Sequence, residues 1–174
     1  MTADGVTLWA LMLAGVFATL LFVATRRLYF GIVAPALLYL SADELADLHE
    51  RSGRWLERHG LDAPGIQDAD SMVLLTYGVV LTFLSVRYRA ELVSAPWAGP
   101  AFAGAFVLGG CAVAMDALVP HGTAGAHGEE YLEAGAALCL AAVFLAHAGA
   151  VVGEWKSRAV AQGLSAEVTG TDRS

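Results

Sequence analysis

Apolar residues run from Val6 to Thr25, interrupted only by small and hydroxyl side chains. At 1.5 Å per residue such a run makes a helix of about 30 Å, the thickness of a bilayer's hydrocarbon core. Trp9 stands near one end as an interface anchor, and Arg26-Arg27 stops the run. A second apolar stretch, Leu28 to Leu40, carries Gly31 and Pro35 inside it. Its length corresponds to only about 20 Å of helix, which leaves two accounts open. It is either a short, kinked span with snorkelling arginines or a re-entrant piece.

From residue 42 to 61 the pattern changes. Leu45, Leu48, Ser52, Trp55, Leu56 and His59 share one helical face, with Asp43, Asp47, Glu50, Arg54, Glu57 and Arg58 on the other. This period predicts an amphipathic helix on the membrane surface, weakened in its middle by Gly53. Asp62-Ala-Pro-Gly65 is turn chemistry, and Asp68, Asp70 and Ser71 offer N-caps for the next apolar run, Met72 to Val86. Arg87-Tyr-Arg89 ends that run. A further span is predicted over 101–119, with Asp116 near its end, and a flexible connection over Pro120–Glu130. The last span, 131–152, carries Glu133 near its start and His147 near its finish. Residues 1–158 thus read as one transmembrane domain and 159–174 as a disordered tail.

The fold expected is all-α: a polytopic membrane bundle of five spans, or four plus a re-entrant segment, with one surface helix. Small residues recur at four-residue spacing in the last two spans. Gly109 follows Ala105, Ala114 follows Gly110, and Ala142, Ala146 and Ala150 form a series beside Gly149 and Gly153. Such spacing lets helices approach closely in lipid, so these spans are expected to form a tight antiparallel hairpin packed through Gly109, Gly110, Ala142, Ala146 and Gly149.

Composition agrees with a lipid environment. The 174 residues are 57% hydrophobic and 16% charged, against about 25% charge in soluble domains, and mean hydropathy is +0.58. A net charge of −7 gives no nucleic-acid surface. Cys111 and Cys139 lie within apolar runs and form neither a disulfide framework nor a CxxC motif. The first seven residues lack Lys and Arg, so the first apolar run reads as retained rather than as a cleaved signal. With five spans, Arg26, Arg27, Arg87, Arg89, Lys156, Arg158 and Arg173 fall on one side and Arg51, Arg54 and Arg58 on the other. The positive-inside rule then predicts a multi-pass cell-membrane protein with its amino terminus outside and its carboxyl terminus cytoplasmic.

Under either span count, two spans separate residues 41–71 from 120–130, which puts both loops on one face of the membrane. Asp43, His49 and Glu50 can therefore approach His121, His127, Glu129 and Glu133, with Asp116 just below. Carboxylates and imidazoles on facing helix ends are donors that Zn, Fe or Mn accepts. A metal-bound water could then attack a substrate at the lipid interface. No HExxH or ExxH spacing supports this. A second account needs no ligand. Ser41 and Glu44 fit a capping box, and Glu50 with Arg54 is an i,i+4 pair on a solvated face. His147, in Leu-Ala-His-Ala-Gly, finds no second histidine in a span to complete a haem site, and a helix–helix hydrogen bond is expected of it.

Asp43-Glu44-x4-His49-Glu50 after an apolar run, with Glu129-Glu130-x-x-Glu133 opening a later one, resembles small multi-span prokaryotic membrane proteins, uncharacterised in activity, that pair such motifs. The resemblance covers some 25 residues and implies a shared polar site at one membrane face. The zinc-dependent alkaline-ceramidase and adiponectin-receptor type departs from this chain by its seven spans and closing HxxxH. The expected function is a small helix-packing membrane subunit or scaffold, with lipid and a membrane-protein partner or a second copy as its neighbours. The alternative is a metal-dependent interface hydrolase, and a transporter is a third reading.

Overall fold

A computed structural model describes residues 2–60, 69–118 and 124–170, and the described chain is helical throughout, as expected. The elements are α1 (Ala3–Thr25), α2 (Leu28–Ala46), α3 (Leu48–Arg58), α4 (Ala69–Arg87), the single turn α5 (Arg89–Leu92), α6 (Ala98–Leu118) and α7 (Ala124–Gly170). Among the described residues, four stretches are long and apolar enough to cross a membrane: Ala3–Thr25, Leu28–Ala46, Ala98–Met115 and Gly128–Gln162. The apolar part of α4, Leu75–Arg87, is shorter.

Three expected boundaries are corrected. The stretch read as ending at Leu40 continues through Ala46 as one 19-residue helix around Pro35, about 28 Å long, so it needs no re-entrant turn. The surface helix accordingly begins at Leu48 rather than residue 42, because Ser41 to Ala46 are claimed by α2. At the far end, α7 runs on through Gly170, where a disordered tail was expected from residue 159. Ala159, Ala161, Gln162, Leu164, Ala166 and Glu167 are good helix formers with no proline among them. The expected connection 120–130 is helical from Ala124. The expected turn at Asp62–Gly65, the cap position Asp68 and residues 119–123 lie outside the described residues.

Small residues bring α1, α2 and α7 together. Ala14 and Ala18 of α1 are fully buried, and a Cβ added to Gly15 would stand 2.8 Å from the Leu38 side chain and 3.3 Å from its backbone nitrogen. Phe22 closes on Gly31 in the same way, at 2.8 Å. These pairings run in opposite directions along the two helices, so α1 and α2 are antiparallel. Lipid offers no hydrophobic drive between helices, and close van der Waals contact of this kind substitutes for it. At the end where α1 stops, Phe30 and Phe144 are each 1% exposed and their rings meet edge-on, with centroids 6.4 Å apart.

The α5–α6 connection seats itself in that end of the core. Leu92, Ala95 and Ala98 are buried with Tyr29 and Phe30. The turn depends on Trp97, whose φ of 68° lies in the left-handed region that non-glycine residues seldom occupy. Ala98 N–H donates to Ala95 O at 3.2 Å, and Pro96 takes the second position of what is in effect a type II turn.

The hairpin of α6 and α7 forms as expected and is also antiparallel, and of the residues expected at its seam Gly109 is there while Gly110, Ala142 and Gly149 are not. A Cβ added to Gly104 would meet Cys139 Sγ at 3.2 Å, one at Gly135 would meet Leu108 at 3.1 Å, and one at Gly109 would meet Ala136 at 3.7 Å. Gly110 and Gly149 face open space, Ala142 is exposed and Ala146 half-buried. The small-residue spacing occurs on more than one side of each helix, so periodicity alone could not choose the buried side. We therefore expect Gly15→Leu and Gly104→Leu to destabilise the bundle by roughly 1 to 3 kcal/mol through overpacking, and Gly110→Leu to leave the melting temperature in detergent close to the parent's. Thermal unfolding of the three variants side by side checks this, and equal melting would contradict the assignment of faces.

Candidate functional site

The most polar described junction is the corner between α2 and α3. A helix that ends in lipid-facing surroundings must satisfy its last carbonyls and the next helix its first amides. Asp47 ends α2 in the left-handed conformation, φ 51°, with its N–H donating to Asp43 O. Aspartate tolerates that conformation better than most residues. The chain then turns directly into α3, whose N-cap position, Asp47, makes no side-chain cap bond. The cap comes from one turn earlier. Asp43 Oδ1 accepts the His49 backbone N–H at 2.7 Å, and Asp43 Oδ2 lies 3.2 Å from His49 Nδ1.

Asp43 is 4% exposed, and a buried carboxyl needs such partners. With the carboxylate oxygen accepting, His49 Nδ1 is the donor. The His49 side chain is 23% exposed. Around this pair, Ser41 Oγ donates to Leu8 O at 3.5 Å, and the hydroxyls of Tyr39 and Tyr77 meet at 2.9 Å with their rings edge-on. The tyrosine pair joins α2 to α4, and the serine joins α2 to α1.

Two sequence expectations are corrected here. Ser41 and Glu44 do not form a capping box, because Ser41 lies inside α2 and its hydroxyl is turned to another helix. Nor do the proposed metal ligands converge: among the described residues no group of three His, Cys, Asp or Glu side chains is placed to hold an ion. Asp43 and His49 are brought together, but Glu50 turns out to Arg54, 3.0 Å away on an exposed face. Glu129 and Glu133 are half-buried near the start of α7. α2 meets α7 through Phe30, which touches Phe144 and His147 at the other end of α2 from Asp43. His121 lies outside the described residues. Asp116 and His127 fall in α6 and α7, but their side chains lie outside the described ones.

His147 behaves as a helix-tying residue. It is 4% exposed, its Nε2 donates to Leu92 O at 3.1 Å, and its ring stands edge-on to Phe30 at 5.4 Å. It thereby holds the end of α5 against α7. The Tyr39–Tyr77 bond was not anticipated, although a phenol inside an apolar run is itself a signal that a partner hydroxyl or carbonyl is near.

An Asp–His pair of this geometry can fix a tautomer and move a proton. Its other action is structural, since the same carboxylate caps α3. Asp43→Ala is expected to lower stability by roughly 2 to 3 kcal/mol, because it strips a charged acceptor from a buried amide and imidazole. Asp43→Asn, which keeps one acceptor, should cost about half as much. Glu50→Gln should stay within about 0.5 kcal/mol, as for other surface changes. Melting in detergent measures all three, and a harmless Asp43→Ala would show that the corner is held by something else.

Residues 2–148 match the family model described as Domain of unknown function (DUF8692), and the chain belongs to that family. No curated protein and no solved structure matches it.

Proposed function

We propose that this member of the DUF8692 family is a small helix-packing membrane subunit or scaffold, one that engages a membrane helix of another chain through the outer faces of α6 and α7. The observation that carries the reading is the direction of the small residues. Gly110, Gly149 and Gly153 have nothing within 4 Å of where a Cβ would stand, and Ala142 is exposed beside them on α7. Internal packing leaves these positions unused. Glycine costs helix stability relative to alanine by about 1 kcal/mol, and its return in a membrane helix is close backbone approach by a neighbour. Cys111 is exposed next to Gly110 in sequence and gives a natural crosslinking handle on the outside of α6. The Asp43–His49 corner serves the scaffold by fixing α3 and, with it, α4.

No observation favours the interface hydrolase. The donor set it needs does not assemble among the described residues, and Ser41, the nearest hydroxyl to the pair in sequence, is engaged with Leu8 O.

Gly149→Leu and Gly110→Leu are expected to preserve folding and insertion but to reduce assembly, read as loss of the higher-mass species when membranes are solubilised gently and sized. Crosslinking through Cys111 in a Cys139→Ala background should fall in parallel. Unchanged assembly in both variants would contradict the reading, as would a parent that is monomeric in its native membrane.

A further inference from the structure

We infer that α3 binds the phosphate of anionic phospholipids in the bilayer that the chain inhabits, through Arg51, Arg58 and Trp55. Gly53 is the one buried residue of α3, and α3 packs on α4, so the Gly53 side faces the protein. At about 100° per residue, Arg51, Trp55 and Arg58 lie roughly opposite it, and all three are exposed. Glu50 and Glu57 fall nearer the Gly53 side, so charge is segregated around the helix.

The two arginines differ from a solvated ion-pair surface. Arg54 is paired with Glu50 at 3.0 Å. Among the described residues neither Arg51 nor Arg58 has an ion-pair partner, and Arg58 Nε donates to the Arg54 carbonyl at 3.0 Å. One helical turn of spacing sets Arg51 and Trp55 side by side. The Trp55 ring, 53% exposed, is held by His59, whose centroid is 4.2 Å away and whose Nδ1 donates to Trp55 O at 2.8 Å. A fixed indole beside exposed guanidinium groups is suited to the headgroup layer, where the ring sits among glycerol and carbonyl groups and the guanidinium forks onto phosphate oxygens.

Charge and position select the occupant. The whole chain carries −7, yet three of its ten basic residues lie on this one helix. The corner at Asp47 places α3 directly at the end of α2, a helix long and apolar enough to cross a membrane, so the arginines stand at headgroup depth. A lipid phosphate is the anion present there at high concentration. Leu45, 72% exposed on the last turn of α2, adds an apolar contact for the acyl chain beside the corner.

The test uses the full chain in nanodiscs of phosphatidylcholine alone and of phosphatidylcholine mixed with phosphatidylglycerol, with thermal unfolding and the lipids retained in native mass spectrometry as readouts. The parent should melt higher in the anionic discs and retain phosphatidylglycerol preferentially. Each of Arg51→Gln and Arg58→Gln should weaken that preference by roughly fivefold, and Arg158→Gln, on the exposed end of α7, should not. Both arginines are on the surface, so their replacement leaves the phosphatidylcholine melting unchanged and separates binding from folding. An equal preference in the double variant, or none in the parent, would overturn the proposal. So would stabilisation by inorganic phosphate in phosphatidylcholine discs matching that from phosphatidylglycerol, because the site would then read a soluble anion.

Discussion

A carboxylate buried at the edge of a bilayer persists only where donors surround it, and Asp43 answers that constraint by joining two helices. Its backbone carbonyl takes the Asp47 N–H, and its side chain takes the amide and the ring of His49, in the first turn of α3. One residue therefore ends a membrane-length helix, caps a surface helix and sets the angle between them. The position of α4 follows, because α4 rests mainly on α3 and lightly on α6, with the Tyr39–Tyr77 bond as its tie to α2. Beyond Ala69, no described residue of α4 is buried.

Several hydroxyls elsewhere are satisfied within single helices. Thr19, Thr25, Thr76 and Ser85 each donate to the carbonyl four residues back, which lets them sit in apolar helices at little cost. Other polar groups reach between helices, among them Ser41 to Leu8, His147 to Leu92 and the tyrosine pair. These bonds, with Asp43, tie α1, α3 and α4 to α2 and tie α5 to α7, and packing such as that of Phe30 on Phe144 and of Gly15 on Leu38 joins the groups.

The sequence is legible where one periodicity dominates. Apolar runs of bilayer length announced the helical fold, and Leu48 to Arg58 showed its amphipathic period plainly. Boundaries were harder. Ser41-x-x-Glu44 has the local form of a capping box, but the apolar register of α2 carries through it, and tertiary packing of Ser41 and Asp43 outweighs local capping. Small-residue spacing foretold the α6–α7 hairpin without singling out its face, because Ala105 with Gly109 and Gly110 with Ala114 satisfy the same pattern on different sides, and only the first meets α7. The shared-face argument put Asp43 and Glu133 on one side of the membrane. It carried no information about lateral distance, which the packing order of the helices decides. Where carboxylates and histidines stand close in sequence, nearest neighbours in the helix lattice took them first: Asp43 took His49, and Glu50 took Arg54.

The central claim is that the Asp43 carboxylate positions α3 and through it α4. Amide hydrogen exchange across α3 and α4, compared between the parent and Asp43→Asn in the same lipid, tests it most directly. The account predicts faster exchange at His49 and through the first turn of α3, spreading to α4, with α1, α6 and α7 unchanged. Loss of protection confined to His49, with α4 exchanging as in the parent, would contradict it.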